Sequence, residues 1–192
     1  GGLVVGVSIC EDIWYVDGPP THQSAAGADV LISLHASPFE EGKVAVREAL
    51  LSDRARRAGI PVVYVNQVGG QDELIFDGAS TVVDGDGELL ARAPQFVDDL
   101  MIVDLELEPR GLAVALPLVT IEPGAAAPSE LPSIDPPTIA LELPPDAEVW
   151  EALRLGLADY FAKGGFTDAC LGLSGGLDSA LVAMLAADAL GA

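Results

Sequence analysis

"LGLSGGLDSALVAML", residues 171–185, is the stretch from which the fold of the chain is most directly read. The apolar run Ala169–Leu173 predicts a strand, and the small residues Ser174–Gly176 predict a tight turn. Asp178 and Ser179 then open a segment rich in Ala and Leu, which predicts a helix. A strand, a glycine turn and a helix in direct succession indicate an α/β protein.

This glycine turn is typical of a phosphate-binding loop. Glycines allow close approach to the backbone, and successive N–H groups at the positive end of a helix dipole favour an anion. The Lys-Ser/Thr of the Walker pattern does not follow the glycines. An ordinary strand-to-helix connection, in which Asp178 only caps the helix, is the alternative.

Upstream of this stretch, strands and helices are predicted to alternate. The predicted order is strand Leu3–Ile9, buried on both faces, helix His22–Ala26, strand Val30–Leu34, helix Lys43–Ala58 ending at Gly59, and strand Pro61–Asn66. Ser80–Val83 and Glu88–Ala93 then flank "DGDG" as a hairpin, and Leu100–Leu105 is predicted as a further strand. The predicted result is an α/β layer in which antiparallel strands follow the alternating strands and helices along the chain.

A connector follows this first unit. Nine of the fourteen prolines lie between Leu105 and Asp146, where periodicity is weak, and this composition indicates a wrapped or extended segment. Beyond it, a helix is predicted over Glu148–Lys163, and it leads to the strand and turn described first. We therefore divide the chain into residues 1–110, 111–146 and 147–192.

Charge and composition exclude some classes of partner. The 30 acidic and 9 basic residues give a net charge of −21, which argues against binding to nucleic acid or an anionic membrane. The two cysteines, Cys10 and Cys170, form no metal or disulfide pattern, so a reducing cytoplasm is expected. The chain has no initiator Met, and we interpret it as a segment of a longer polypeptide.

Cys10 ends the first predicted strand, where a nucleophile can stand, although a lone Cys in an apolar run is more often a core residue. The strings "GVSICEDIWYVDGPP", "GADVLISLHASPFEEGK" and "YVNQVGGQDELIFDGAS" resemble, in the right order, a glutamine amidohydrolase domain of the nitrilase superfamily. They are most similar to the amidohydrolases joined to NAD synthetases.

The resemblance implies roles for four residues of the first unit. Cys10 matches the nucleophile, whereas the family's catalytic Glu and Lys precede this strand and fall outside the chain. Ser37 and Lys43 match positions that hold the amino-acid end of glutamine, and the neighbourhood of Glu11 contacts glutamine or helps form the anion pocket. The alternatives are a solvated or supporting carboxylate for Glu11 and an ordinary first-turn helix lysine for Lys43.

Three other features of the first unit receive no catalytic role. Ser33 stands where the family commonly has Asn, and His35 where it has a small residue. His22 and His35 lack metal-ligand spacing and are interpreted as loop residues. "GGQDELIFDG", residues 69–78, is predicted to be an exposed acidic loop.

"SGGLDS" resembles the pyrophosphate loop of ATP pyrophosphatases, which adenylate a carboxyl or carbonyl oxygen. The resemblance implies that ATP is held by the residues of this loop, namely Gly172, Leu173, Ser174, Gly175, Gly176, Leu177, Asp178 and Ser179. Because a carboxylate repels phosphate, Asp178 is expected to face Mg²⁺, bound as a complex with ATP, or the N–H groups of the loop.

Together the two resemblances imply the C-terminal part of a nitrilase-like α-β-β-α sandwich, then the first helix, strand, phosphate loop and helix of a Rossmann-like ATP-pyrophosphatase domain. Glutamine would be hydrolysed at Cys10, and the ammonia would convert ATP-adenylated deamido-NAD to NAD. A homo-oligomer without a tightly bound cofactor is expected. The alternatives are an amidotransferase with another acceptor and a fragment that acts only in binding or assembly; the segment alone is expected to be inactive.

Overall fold

The computed structural model describes residues 2–113, 116–121 and 135–191. In chain order the strands are β1 (Val5–Ile9), β2 (Val30–His35), β3 (Val62–Asn66), β4 (Val68–Gln71), β5 (Leu74–Asp77), β6 (Thr81–Val83) and β7 (Leu89–Arg92). The α-helices are α1 (Pro19–Ala25), α2 (Lys43–Ala58), α3 (Pro145–Gly164) and α4 (Leu177–Leu190). Every helix that the sequence predicted is present, and α2 has the predicted bounds.

Five strands form one sheet in the order β1-β2-β3-β6-β7. The first three are parallel, and β6 and β7 add antiparallel strands beside β3. Because Ile9 pairs with Leu34 and His35 pairs with Asn66, the carboxyl ends of β1, β2 and β3 lie at one edge. In α/β sheets this edge is where ligands bind.

The hydrophobic core lies on one face of this sheet, against α2 and the turn after β1. Its members are buried apolar side chains, including Ile13, Leu31, Leu51, Ala55, Ile60, Val62, Tyr64 and Val83. Burying such side chains stabilises a fold by about 1.5 to 3 kcal/mol each before entropy is counted. The helix α2 is therefore fixed on the sheet, and its N-terminus lies near the edge where the parallel strands end.

The prediction that the first strand is buried on both faces is wrong. Gly6 and Ser8 face the core, whereas Val5, Val7 and Ile9 are 41%, 52% and 67% exposed. The difference arises because no described residue covers the opposite face of β1. The strand consequently has the alternating burial of a sheet with one packed face.

The predictions of two further strands, Leu100–Leu105 and Ala169–Leu173, are also wrong. Neither segment is assigned to a strand, and neither pairs with another described segment. A strand needs a neighbour that satisfies its backbone groups, and apolar β-propensity alone does not supply one.

The segment predicted as an exposed acidic loop instead forms the antiparallel pair β4 and β5, with Asp72 and Glu73 at its tip. This hairpin contacts α3 closely. A Cβ placed on Gly70 would lie 3.1 Å from the Cα of Gly156, so the two backbones are nearly in contact. Asp159 accepts a hydrogen bond from the Gly70 N–H at 2.7 Å, and Lys163 donates to the Gly70 carbonyl.

Described residues near both ends of the proline-rich connector contact the first unit. The Ala113 N–H donates to the carbonyl of Ala26, and the N–H of Arg110, which directly precedes the connector, donates to Asp29. Near its other end, Ile139 forms a parallel bridge with Arg92 of β7. The described ends of the connector are thus held next to α1 and β7.

Candidate functional site

Cys10 follows β1 directly and has a left-handed backbone, with φ at +49°. A non-glycine residue in this region carries steric strain that the surrounding structure must outweigh, and such residues cluster at functional sites. The 3-10 turn Cys10–Ile13 is held from α2, because Arg54 donates to the carbonyls of Ile13 and Trp14, both at 2.8 Å. Asp12 also accepts a hydrogen bond from the Ile9 N–H.

A cleft of about 440 Å³ opens beside this turn. It is lined by all four residues that the sequence singled out in the first unit: Cys10, Glu11, Ser37 and Lys43. The remaining lining residues are Trp14, Pro38, Glu40, Glu41 and Val46. The thiol side chain is half-buried and free of any disulfide. Residues that carry a thiol, a hydroxyl and an ammonium group therefore line one space large enough for a small molecule.

One wall of this cleft is the loop of residues 36–43, which joins β2 to α2 and is called the cleft loop below. Its first half is held by Asn66, the last residue of β3. The Asn66 Oδ1 accepts from the Ser37 N–H at 2.9 Å, and its Nδ2 donates to the carbonyl of Gly78 at 3.0 Å. Because Ser37 and Asn66 are both buried, this anchoring is shielded from water.

Lys43 is the first residue of α2 and supplies a cation to the cleft. Its Nζ donates to the carbonyl of Pro38 at 3.3 Å and lies 3.6 Å from Glu40, whose side chain is exposed. Glu11 is exposed on the 3-10 turn, and Glu41 is exposed on the cleft loop. The lining thus contains three carboxylates and one ammonium, which suits a ligand that carries both a carboxylate and an ammonium.

A buried ion pair supports the sheet edge behind the cleft. Arg47 of α2 donates to Asp77 at the end of β5, and both side chains are almost fully buried. Burial by itself lowers the pKa of Arg47, but the hydrogen bond and charge of Asp77 outweigh burial and raise this pKa. Burial also raises the pKa of Tyr64, whose ring lies 6.0 Å from the guanidinium carbon of Arg47. The cluster therefore keeps one compensated charge pair inside the core.

His35 is part of the same buried region, so its interpretation as a loop residue is wrong. It is the last residue of β2 and is 7% exposed, and its ring centroid lies 4.1 Å from that of Tyr64. Burial and then the charge of Arg47 lower the pKa of His35 to about 4. His22 is likewise not in a loop, because it lies in α1.

The ring of His35 contacts one serine hydroxyl, which contacts a second serine hydroxyl in turn. Its Nε2 lies 2.8 Å from the hydroxyl of Ser33, which in turn accepts from the hydroxyl of Ser8 at 3.0 Å. Ser33 and His35 are the two positions at which the sequence departs from the pattern it resembles. The two departures interact with each other, and together they form a polar chain across β1 and β2.

Sequence reasoning missed several residues around the cleft. Trp14, Glu40 and Glu41 line it, and their nearness in sequence to Cys10 and to Lys43 could have indicated this. Asn66 and Glu148 anchor the cleft loop from 29 and 106 residues away. No local pattern in the sequence indicates contacts at such separations.

The second predicted site, residues 172–179, is exposed throughout apart from half-exposed Ser179. Gly175 has φ at +84°, which favours glycine, and Gly176 precedes α4. The hydroxyls of Ser174 and Ser179 lie 3.0 Å apart and close the turn. No heavy atom lies within 4 Å of a Cβ placed on Gly172 or Gly175, so the backbone on this side is open to a ligand.

Asp178 does not cap this helix, so the capping alternative is wrong. Gly176 occupies the N-cap position, and no side chain there makes a capping hydrogen bond. Asp178 lies in the first turn of α4. Among residues 2–113, 116–121 and 135–191, no three His, Cys, Asp or Glu side chains come together where they could hold a metal ion. Nor does any described helix combine the length and the apolar character that a membrane span requires.

Comparisons with known proteins agree with the two units. Residues 1–112 match the carbon-nitrogen hydrolase family, and residues 149–192 match the NAD synthase family. The chain is 43% identical over 190 residues to a glutamine-dependent NAD(+) synthetase of Xanthomonas campestris pv. campestris, covering 99% of this chain and 31% of that protein.

Solved structures give the same result. The structure of the glutamine-dependent NAD+ synthetase of Acinetobacter baumannii, in complex with ADP, superposes with a TM-score of 0.75 at 36% identity, over 97% of this chain and 31% of that one. The enzyme from Cytophaga hutchinsonii gives 0.62 at 27% identity, over 96% of this chain and 25% of that one.

The chain spans about a third of the length of the relatives that it matches. Its fold is nitrilase-like in the first unit and NAD synthetase-like in the second. More than half of its residues match one family, and the chain therefore belongs to the carbon-nitrogen hydrolase family, with residues 149–192 matching the NAD synthase family.

Proposed function

We propose that the protein containing this chain is a glutamine-dependent NAD synthetase, in which residues 1–110 belong to the glutaminase, 111–146 connect, and 147–192 begin the synthetase. The observation that carries the proposal is that Cys10, with its left-handed backbone, lines one cleft together with Ser37 and Lys43. The similarity to glutamine-dependent NAD synthetases over nearly the whole chain supports it.

In the proposed first reaction, the Cys10 thiolate attacks the side-chain amide carbon of glutamine. The amide nitrogen of the tetrahedral intermediate gains a proton and leaves as ammonia when the intermediate collapses to a thioester, and water then hydrolyses the thioester to release glutamate. The base that activates the thiol and the cation that stabilises the oxyanion are assigned to a Glu and a Lys N-terminal to this chain. Acid–base assistance of this kind contributes about 10² to 10⁴-fold, so this segment alone should be inactive.

Recognition of glutamine is assigned to the cleft loop. The ammonium of Lys43 would bind the free carboxylate of glutamine, and the hydroxyl of Ser37 would add a hydrogen bond. Glu11 would face the ammonium group of glutamine or support the oxyanion site. These assignments are supported by the charges that line the cleft, since a zwitterion needs partners of both signs.

In the proposed second reaction, a carboxylate oxygen of deamido-NAD attacks the α-phosphorus of ATP and releases pyrophosphate. Ammonia then attacks the acyl adenylate, AMP leaves, and NAD is formed. Gly172, Leu173, Gly175, Gly176 and Leu177 would contribute open backbone to the phosphates. Ser174 and Ser179 would add hydroxyls, and Asp178 would face the Mg²⁺ of the ATP complex, because Mg²⁺ is commonly held by one or two carboxylates and substrate phosphates.

Further parts of this proposal concern the cell rather than the site. We place the protein in the cytoplasm as a homo-oligomer, with no nucleic-acid or membrane partner and no tightly bound cofactor. The acidic composition supports the part of this proposal that concerns nucleic acid and anionic membranes.

Replacing the nucleophile tests the two-site reaction in the full-length protein. Cys10→Ala should abolish glutamine-dependent NAD formation, while added ammonia still serves as nitrogen donor, because the variant retains the synthetase site. The rate of NAD formation is measured with each donor. Exposed Cys170→Ala is the matched control and should keep both activities. Loss of both activities in Cys10→Ala, or NAD formation by neither donor in the wild type, would overturn the proposal.

A further inference from the structure

Glu148 is a buried carboxylate that reaches from the second unit into the first. It is the fourth residue of α3 and is 5% exposed. One oxygen, Oε2, accepts from the N–H of Gly42 at 3.1 Å, and the other, Oε1, accepts from Nε2 of Gln95 at 2.7 Å. A carboxylate removed from water is costly unless both oxygens are satisfied, and here two neutral donors satisfy them.

Gly42 is the residue that sets the start of α2. It has a left-handed backbone, with φ at +72°, and it is the N-cap of this helix without a side-chain capping bond. Glu148 therefore provides from another helix what the N3 carboxylate of a capping box normally provides, namely an acceptor for the N-cap N–H and a negative charge near the helix N-terminus. The next residue is Lys43, which lines the cleft.

The position of Glu148 is itself fixed. The Oε1 of Gln95 accepts from the N–H of Leu143 at 3.0 Å, which leaves its Nε2 directed toward Glu148. At the opposite end of α3, Asp159 and Lys163 bond to the backbone of Gly70 in the β4–β5 hairpin. A helix held at both ends presents its carboxylate at a defined point of the cleft loop.

We infer that Glu148 is a positioning residue for glutamine binding: from the first helix of the synthetase unit, it fixes Gly42 and through it the ammonium of Lys43. This inference rests on the proposed function. The cleft loop is then anchored by Asn66 of the sheet at Ser37 and by Glu148 at Gly42. The glutamine site is complete only when α3 is docked, so the second unit contributes to the affinity of the first for its substrate.

The expected effect is on substrate binding rather than on the chemical step. Lys43 would bind the glutamine carboxylate equally in the ground and transition states, and loss of such binding raises KM with little change in kcat. Gln at position 148 can accept only one of the two hydrogen bonds and turns a donor toward the other. Glu148→Gln should therefore raise the KM for glutamine about tenfold, the scale of one charge-assisted hydrogen bond.

Two measurements on the full-length protein test the inference. The first is NAD formation with glutamine or with ammonia. The second is the glutamine concentration that half-protects Cys10 from alkylation by iodoacetamide in a Cys170→Ala background, which requires no synthetase activity. Glu148→Gln should need about ten times more glutamine in both measurements, with ammonia-dependent NAD formation unchanged. Glu151→Gln is the matched control, because Glu151 lies on the same helix and, among the described residues, pairs with Arg154 of that helix.

The results that would overturn the positioning role of Glu148 differ from the result that would overturn the proposed function. Unchanged protection and KM in Glu148→Gln, or a parallel loss with both nitrogen donors, would overturn the positioning role. The same rise in Glu151→Gln would also overturn it, since any charge removed from α3 would then suffice. If glutamine does not protect Cys10 of the wild type, the proposed function fails, and this result differs from protection that is equal in wild type and variant.

Discussion

The cleft at Cys10 and the loop at residues 172–179 are both assigned to substrates, but they are held in different ways. The cleft loop is anchored by buried side chains that lie 29 and 106 residues away in sequence. In the glycine loop, the hydroxyls of Ser174 and Ser179 contact groups only two to five residues away in sequence, and these contacts are exposed to solvent. The geometry of the first site thus depends on the packed core, whereas that of the second depends on its own few residues.

The largest expected effect follows from breaking the buried support of the first region. Asp77→Ala leaves Arg47 buried without its partner, and removal of one member of a buried pair typically destabilises a protein by about 3 to 5 kcal/mol. We expect the urea midpoint of the full-length protein to fall accordingly, with loss of glutamine-dependent activity.

Asp53→Ala is the matched control, because the side chain of Asp53 is itself 43% exposed and pairs with exposed Arg57 and with buried Arg54. Arg54 keeps its hydrogen bonds to the carbonyls of Ile13 and Trp14 in this variant, and a solvent-exposed carboxylate contributes little, so the urea midpoint should stay close to that of the wild type. Equal losses in Asp77→Ala and Asp53→Ala would show that the buried pair is not a special support of the cleft edge.

The same contrast explains which parts of the fold the sequence could predict. The bounds of α2 were predicted because its apolar spacing ends at Gly59, which adopts a left-handed conformation. The strands Leu100–Leu105 and Ala169–Leu173 were predicted wrongly because composition does not reveal whether a pairing partner exists. The hairpin β4–β5 was missed because its glycines and acidic tip are typical of a loop.

The residues of the candidate site also divide into those that the sequence could predict and those that it could not. Cys10, Ser37 and Lys43 were proposed from a resemblance that extends along the chain, and the fold brings them to one cleft. Asn66 and Glu148 were not proposed, because their contribution is a hydrogen bond to a distant backbone group. Such contacts follow from tertiary packing, and no spacing within a helix or a strand encodes them.

An effect of intermediate size on the free energy of unfolding is expected from His35, which is buried at the end of β2. The pKa of His35 is lowered to about 4, against an ordinary value near 6.5, so the unfolded chain takes up a proton on this ring that the folded chain does not. The free energy of unfolding should therefore fall as the pH decreases from about 6.5 to about 4, by about 2 to 3 kcal/mol from this group, and then level off.

Urea unfolding at several pH values measures this contribution as the difference between wild type and His35→Gln, which lacks the titrating ring. The exposed His22→Gln variant is the control and should follow the wild-type profile. A wild-type profile parallel to that of His35→Gln between pH 6.5 and 4 would contradict the assignment of a buried neutral His35.

The smallest effect on stability is expected in the glycine loop. Ser174→Ala removes a hydroxyl that contacts Ser179 at 3.0 Å and the Gly176 N–H at 3.4 Å, both at the surface. The free energy of unfolding should change by less than about 0.5 kcal/mol. If the hydroxyl binds phosphate, the KM for ATP in NAD formation should rise about three- to tenfold.

Thr167→Val removes a nearby exposed hydroxyl outside the loop and should change neither quantity. A loss of stability near that of Asp77→Ala would show that long-range contacts also hold the second region, and an unchanged KM would remove Ser174 from the ATP site.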